Sequence, residues 1–197
     1  MKPGMRYGPE HKDAARAKIL AAAGRGFRRL GYGGIGVDGL AKEAGVTSGA
    51  FYGHFASKAE AFEAAALAGL VGLRESIRRL QADDGDGWLA QFVDYYLSTK
   101  RTCELGESCA LQSLTPEVAR AGSETRTAYA AELARVVDAV AAGIPGTPAA
   151  RRKLAWTILA MLAGGVTLAR ASDDAKLGAQ LAAALKASIA ALVSPAT

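Results

Sequence analysis

Alanine fills 44 of the 197 positions in this chain and proline only 6. Ala is the strongest helix former and Pro the strongest helix breaker, so this imbalance commits the chain to helices. The expected fold class is all-α, with about nine helices; no convincing strand and no internal repeat interrupts the pattern. Half of the residues are hydrophobic and 22% are charged, ordinary values for a globular domain. The length allows about two-thirds of the unfolded surface to be buried, so no disulfide or metal is required to hold the fold.

Charge placement divides the chain. Residues 1–60 hold ten Lys or Arg and five Asp or Glu, while residues 61–197 hold fourteen of each. The whole net charge of +5 therefore lies in the first third. A basic segment joined to a neutral one suggests a polyanion-binding module attached to a module for something else. A solvated basic face is the plainer alternative.

Local signals place the helices. Residues 1–8 are expected to be a loose tail, with a first helix from Pro9 carrying Ile19, Leu20, Ala23, Phe27 and Leu30 at helical spacing and stopping at Gly31. Val37, Leu40, Ala41 and Ala44 make a short second helix ending at Gly45. Thr47 caps a third helix reaching His54. Ser57 and Glu60 form a capping box that opens a long fourth helix to about Leu80. Further helices are expected at 88–102, 124–142, 149–170 and 174–193, with a loop and one short helix between 103 and 122.

The constellation at 37–55 carries the chemistry. Two short helices joined through Gly45 and Val46 make a helix-turn-helix, because Gly45 tolerates the backbone angle the turn needs. The second helix can then place its N-terminal end against base edges in a major groove. Thr47, Ser48, Ala50, Tyr52 and Gly53 are its expected exposed residues, with Phe51 and Phe55 facing inward.

These residues resemble the TetR family of repressors. The resemblance lies in Arg16, Ile19, Leu20, Ala23, Phe27, Gly31 and Tyr32, and then in Val37, Leu40, Ala41, Ala44, Gly45, Val46, Thr47, Gly49, Phe51, Tyr52, His54, Phe55, Ser57 and Lys58. A looser similarity follows in Cys109-Ala110-Leu111 ahead of a Pro-Glu pair, and in the run from Leu162 to Arg170. It implies a homodimer that binds a palindromic operator and is released by a small molecule. It implies phosphate contacts from Thr47, Ser48, Tyr52, His54 and Lys58, and base-facing positions at Ser48, Gly49, Ala50 and Gly53. Three positions depart from the family pattern: Gly36 where a Thr or Ser usually caps, Asp38 where a basic or polar residue is common, and Gly53 where a large one is. With so few long side chains on the recognition helix, specificity is expected from shape, methyl contacts and backbone positioning.

The expected division is a DNA-binding domain at 1–56 and a ligand-binding and dimerisation domain at 57–197. Trp88, Phe92, Tyr95, Tyr96, Tyr129, Trp156 and Met161 are candidates to line an effector cavity, with plain core as the alternative for each. Their character suggests a mostly apolar ligand. Leu154, Ile158, Leu162 and Val166, then Leu177, Leu181, Leu185 and Ile189, are candidates for a dimer interface, with an intrasubunit core as the competing reading.

Other signals point away from further functions. Gly31 to Gly36 match a dinucleotide pattern, but a helix rather than a strand precedes them. Asp83 to Asp86 lack a full calcium ligand set. The two histidines, His11 and His54, suggest no metal site, and no catalytic set is evident. No cofactor is called for. Cys103 and Cys109 read as small thiols, with a redox switch as the alternative. No signal peptide is evident and the longest strongly apolar uncharged run, 154–169, is too short to span a bilayer, so a cytoplasmic protein without a membrane partner is expected. A regulator without a ligand, and a helical enzyme or carrier using the C-terminal pocket, are the competing functions.

Overall fold

The computed structural model describes residues 9–193, and every regular element among them is helical. The expected tail at 1–8 and the side chain of His11 lie outside the described residues. The elements are α1 (Pro9–Gly34), α2 (Val37–Ala44), α3 (Ser48–Tyr52), α4 (Lys58–Asp84), α5 (Trp88–Leu97), α6 (Thr99–Thr102), α7 (Ala110–Ser113), α8 (Thr115–Val118), α9 (Ser123–Ala142), α10 (Pro148–Arg170) and α11 (Ala175–Val193).

The local stop signals act where expected, with four differences. α1 does not end at Gly31 but kinks there, Gly31 taking φ 74°, and runs on to Gly34. The helix expected at 88–102 breaks at Ser98, whose hydroxyl donates to the Asp94 carbonyl at 2.6 Å and competes with the helical bond. α3 stops at Tyr52, ahead of Gly53, the poorest helix former after proline. Between 103 and 122 the chain makes three single turns, Leu105–Glu107, α7 and α8, rather than one short helix.

α1, α2 and α3 pack together, and α4 leaves them to run beside α9; α10 then packs on α9 and α11. One buried cluster extends from Phe27 and Phe51 through Leu70 to Ile158. The first turns of α4 share the core of α1 to α3. Phe62 sits edge-on to Phe27 at 5.3 Å and to Tyr32 at 5.1 Å. α4 is thus a single rigid rod with one end in each half of the molecule.

Half of the candidate interface residues turn inward. Ile158, Leu162, Val166 and Ile189 are buried within the protomer and belong to its own core. Leu154, Leu181 and Leu185 are half-buried, and Leu177 is exposed. The face left open on α10 carries Trp156, Ala160, Gly164 and Leu168; on α11 it carries Leu177, Ala184, Ala191 and Leu192. The reason for the correction is angular. On a helix this rich in alanine two neighbouring stripes are both apolar, and α9 covers the stripe holding the larger branched residues. α11 is also long and apolar enough to cross a membrane by length and composition, with a mean hydropathy of 1.3 and only 17% of that window buried. The sequence test on uncharged runs passed over it because Lys176 and Lys186 interrupt it.

Candidate nucleic-acid interface and effector cavity

The turn between α2 and α3 is built as its residues require. Gly45 takes φ 68°, in the left-handed region that favours glycine, and its N–H donates back to the Lys42 carbonyl at 3.0 Å while Val46 reaches Ala41 at 2.9 Å. Thr47 Oγ1 then accepts the Ala50 N–H at 3.2 Å and caps α3. Phe51 and Phe55 are fully buried and fix α3 by its inner face. The outer face presents Gly49, Ala50 and Gly53, all exposed, and Tyr52 at 54% exposure.

The remaining candidates are held by neighbours. Ser48 donates its hydroxyl to Asp38 Oδ1 at 2.5 Å. His54 is half-buried, its Nδ1 without a hydrogen-bond partner among the described residues. Lys58 places its ammonium 4.4 Å from the centre of the Tyr32 ring. The capping box at α4 forms with a shift of one residue: Ser57 Oγ accepts the Glu60 N–H at 3.0 Å, and Glu60 Oε2 accepts the N–H of Ala56 at 2.6 Å.

Known proteins share this arrangement. Residues 19–65 match the family profile described as bacterial regulatory proteins, tetR family. An HTH-type transcriptional repressor of Streptomyces coelicolor is 26% identical over 132 residues, covering 67% of this chain and 68% of its own. The match to the tetR-family pattern thus falls on α1, α2, α3 and the start of α4. Among solved structures, a TetR transcriptional regulator from Legionella pneumophila superposes with a TM-score of 0.77 at 14% identity, over 96% of this chain and all of that one. A TetR-family regulator from Cytophaga hutchinsonii superposes with a TM-score of 0.74 at 18% identity, over 97% of this chain and all of that one. These superpositions show the fold, and the family match covers its helix-turn-helix.

Its basic third does not spend all its charge on one surface. Arg29 and Arg25 both pair with Glu43, and hydrogen bonding from Arg29 holds the Glu43 carboxyl below its ordinary range. Arg16 stacks on Phe55 at 4.7 Å. Lys12, Lys18 and Lys42 are exposed.

Arg28 points the other way, toward the part of the protein that follows α3. Its Nε donates to the Gly106 carbonyl at 2.6 Å, and its guanidinium lines a cavity of about 650 Å³. α4 and α5 form most of the wall, with α6, α7 and the turn before α7 closing it. Of the seven candidate lining residues, Phe92, Tyr95 and Tyr96 face this cavity. Trp88 faces a second cavity of about 620 Å³ between α5 and α11, and its indole N–H donates to Gly143 at 2.9 Å. Tyr129, Trp156 and Met161 line neither. Tyr129 is core, and burial pushes its hydroxyl up to about 12; Trp156 stands on the open face of α10.

Sequence reasoning missed the cations of the first cavity, Arg28, Arg79 and Lys100. By position in the chain Arg28 belongs to the basic first third. Only its place next to the inward-facing Phe27 could have flagged it. Cys103 and Cys109 are both free thiols. Cys109 lines the first cavity, and Cys103 lies 3.2 Å from Nη2 of Arg170, which also donates to the carbonyls of Lys100 and Cys103.

Proposed function

We propose that this protein is a homodimeric repressor that binds a palindromic operator through α3 and is released by a small molecule held between α4 and α5. It acts in the cytoplasm, where bacterial DNA lies. The observation that carries the reading is the outer face of α3. A short helix fixed by Phe51 and Phe55 presents small residues and one exposed tyrosine. Such a helix can approach a groove closely. Ser48, Gly49, Ala50 and Gly53 then read shape and methyl groups, while Thr47, Tyr52, His54 and Lys58 hold phosphates.

Residues 1–56 act as the DNA-binding unit and residues 57–197 as the sensing and dimerising unit, with α4 joining the two. The open apolar stripe on α10 and α11 supports pairing with a second copy, and Leu168 at 65% exposure is its most prominent member. Two helices from each copy make a four-helix interface. A ligand that tilts α4 changes the distance between the two recognition helices, which must sit about 34–36 Å apart or a multiple of that.

The test is fluorescence anisotropy on DNA upstream of the protein's own gene, across a salt series, with Tyr52→Phe and Lys58→Ala beside the wild type. Selective binding that falls steeply with salt and weakens in both variants supports the reading. Binding indifferent to both variants overturns the docking geometry.

A further inference from the structure

The first cavity combines an apolar wall with an uncompensated set of cations. Leu73, Phe92 and Tyr96 supply apolar surface. Arg28, Arg79 and Lys100 supply three positive charges, and Glu107 is the single carboxylate of the lining. None of the three cations is ion-paired among the described residues. Arg28 bonds a backbone carbonyl, and Lys100 Nζ likewise donates to the Glu107 carbonyl at 2.6 Å. Tyr96 adds a buried hydroxyl, with Cys109 beside it.

A guanidinium drawn out of water without a carboxylate partner is costly, and an anion placed beside it removes that cost. Burial indeed pulls the Arg28 guanidinium below its ordinary range. The cavity is thus electrostatically incomplete in the free protein, and its deficit is negative charge.

We propose that the effector is an amphipathic organic anion, its apolar body against Leu73, Phe92 and Tyr96 and its acidic head on Arg28 and Lys100, with Arg79 at the rim. This rests on the reading of the cavity as the effector site, and it replaces the expectation of a mostly apolar ligand. It also names a route to the DNA. Arg28 belongs to α1, and its bond to Gly106 ties that helix to the turn at Leu105–Glu107. Gly106 lies against α1 so closely that an added Cβ would stand 3.5 Å from the Arg25 carbonyl. An anion that recruits the Arg28 guanidinium competes with the Gly106 carbonyl for it, and so loosens or shifts α1 without acting through α4.

The test uses a matched pair of dyes on the full chain. 1-Anilinonaphthalene-8-sulfonate is the anion, and N-phenyl-1-naphthylamine has the same rings without the sulfonate. Fluorescence titrations are run on wild type, Arg28→Gln, Lys100→Gln and Gly72→Trp. Gly72 lines the cavity and has open space where a side chain would start, so tryptophan there plugs it. The expected result is a preference for the anion of about tenfold or more. The preference shrinks in both charge variants while neutral-dye affinity is kept, and both dyes are lost in the plugged variant. Lys100→Gln decides the matter if Arg28→Gln fails to fold. Equal or tighter neutral binding at a site that Gly72→Trp blocks overturns the anionic class and leaves the cavity reading standing. A preference untouched by either charge variant also overturns the proposal. Dye binding indifferent to Gly72→Trp, or no binding, overturns the cavity reading and the proposal with it.

Discussion

The Ser48 hydroxyl donates to the Asp38 carboxylate at 2.5 Å, locking the start of α3 to the start of α2. The departure from the family pattern at Asp38 thus has a structural use. It orients the two helices, and it satisfies a side chain that would otherwise be free to meet DNA. The same carboxylate sets a negative charge on the proposed DNA face. Asp38→Asn keeps an acceptor for Ser48 and removes the charge. Affinity for DNA is expected to rise by about three- to tenfold at low salt, with the gain narrowing as salt increases. Anisotropy titrations at several salt concentrations check this; unchanged or weaker binding would show that Asp38 faces away from the phosphates.

Glu132 joins α4 to α9 from inside. It is buried, and it accepts Arg74 at 2.6 Å on one oxygen and Arg135 at 2.7 Å on the other. Removing its charge leaves the largely buried Arg74 without its main partner. Glu132→Gln is expected to cost about 2–3 kcal/mol, below the full range for a buried pair because the neighbouring Glu75 still reaches Arg74 at 3.3 Å. Urea unfolding followed by circular dichroism measures it. Arg135→Gln, on an exposed side chain, should cost under about 1 kcal/mol.

Gly69 sets how closely α4 and α7 approach. A Cβ at this position would lie 2.2 Å from the Ala110 Cβ, which has no rotamer to move aside. Gly69→Ala therefore forces the helices apart at the cavity wall. Overpacking costs about 1–3 kcal/mol, partly offset by the ~1 kcal/mol better helix propensity of alanine. Thermal scanning is expected to show a fall in Tm of up to about 8 °C. Gly72→Ala, about five-sixths of a turn further along α4 and with open space at its Cβ, is expected to raise Tm instead.

Tyr129 makes the protein sensitive to alkali. The single proton of Thr115 goes to the Leu111 carbonyl at 2.5 Å, so at the 2.6 Å contact between the two hydroxyls Tyr129 is the donor. Burial raises its ionisation to about 12, above the value near 10 of an unfolded tyrosine. Between these values the unfolded chain has released a proton that the folded chain keeps. Stability is therefore complete below pH 10 and falls as pH rises toward 12, by about 2–3 kcal/mol from this group. In Tyr129→Phe the alkaline loss between pH 9 and pH 11 should be shallower by about 1.3 kcal/mol, half of that full amount, read from urea midpoints.

The features that could be read in the sequence are those set by neighbours in the chain. Gly45, the Thr47 cap and the Ser57 cap act within four residues, and each forms at its expected place. The cavity cations are different. Arg28 and Gly106 stand 78 residues apart, and nothing local to either announces the other. Aromatic residues were likewise legible as apolar mass but not as lining. Tyr129 and Tyr96 are both buried, and only the packing of α4 against α5 puts one of them beside a void.

The open stripe of α10 and α11 gives the sharpest separation between core and interface. Leu162 and Leu168 are six residues apart on α10, one fully buried and the other 65% exposed. If a second copy covers the stripe, charge at Leu168 or Leu177 should split the dimer without unfolding the protomer. Leu168→Glu and Leu177→Glu are each expected to give a folded monomer in sedimentation velocity at micromolar concentration, with helical circular dichroism retained. They are also expected to lose most operator affinity, since a palindrome needs both recognition helices. Leu162→Glu should instead abolish the fold, because it buries an unpaired charge in the protomer core. A wild-type monomer would remove the dimer from the proposed function. A dimer that survives both surface substitutions would place the interface elsewhere.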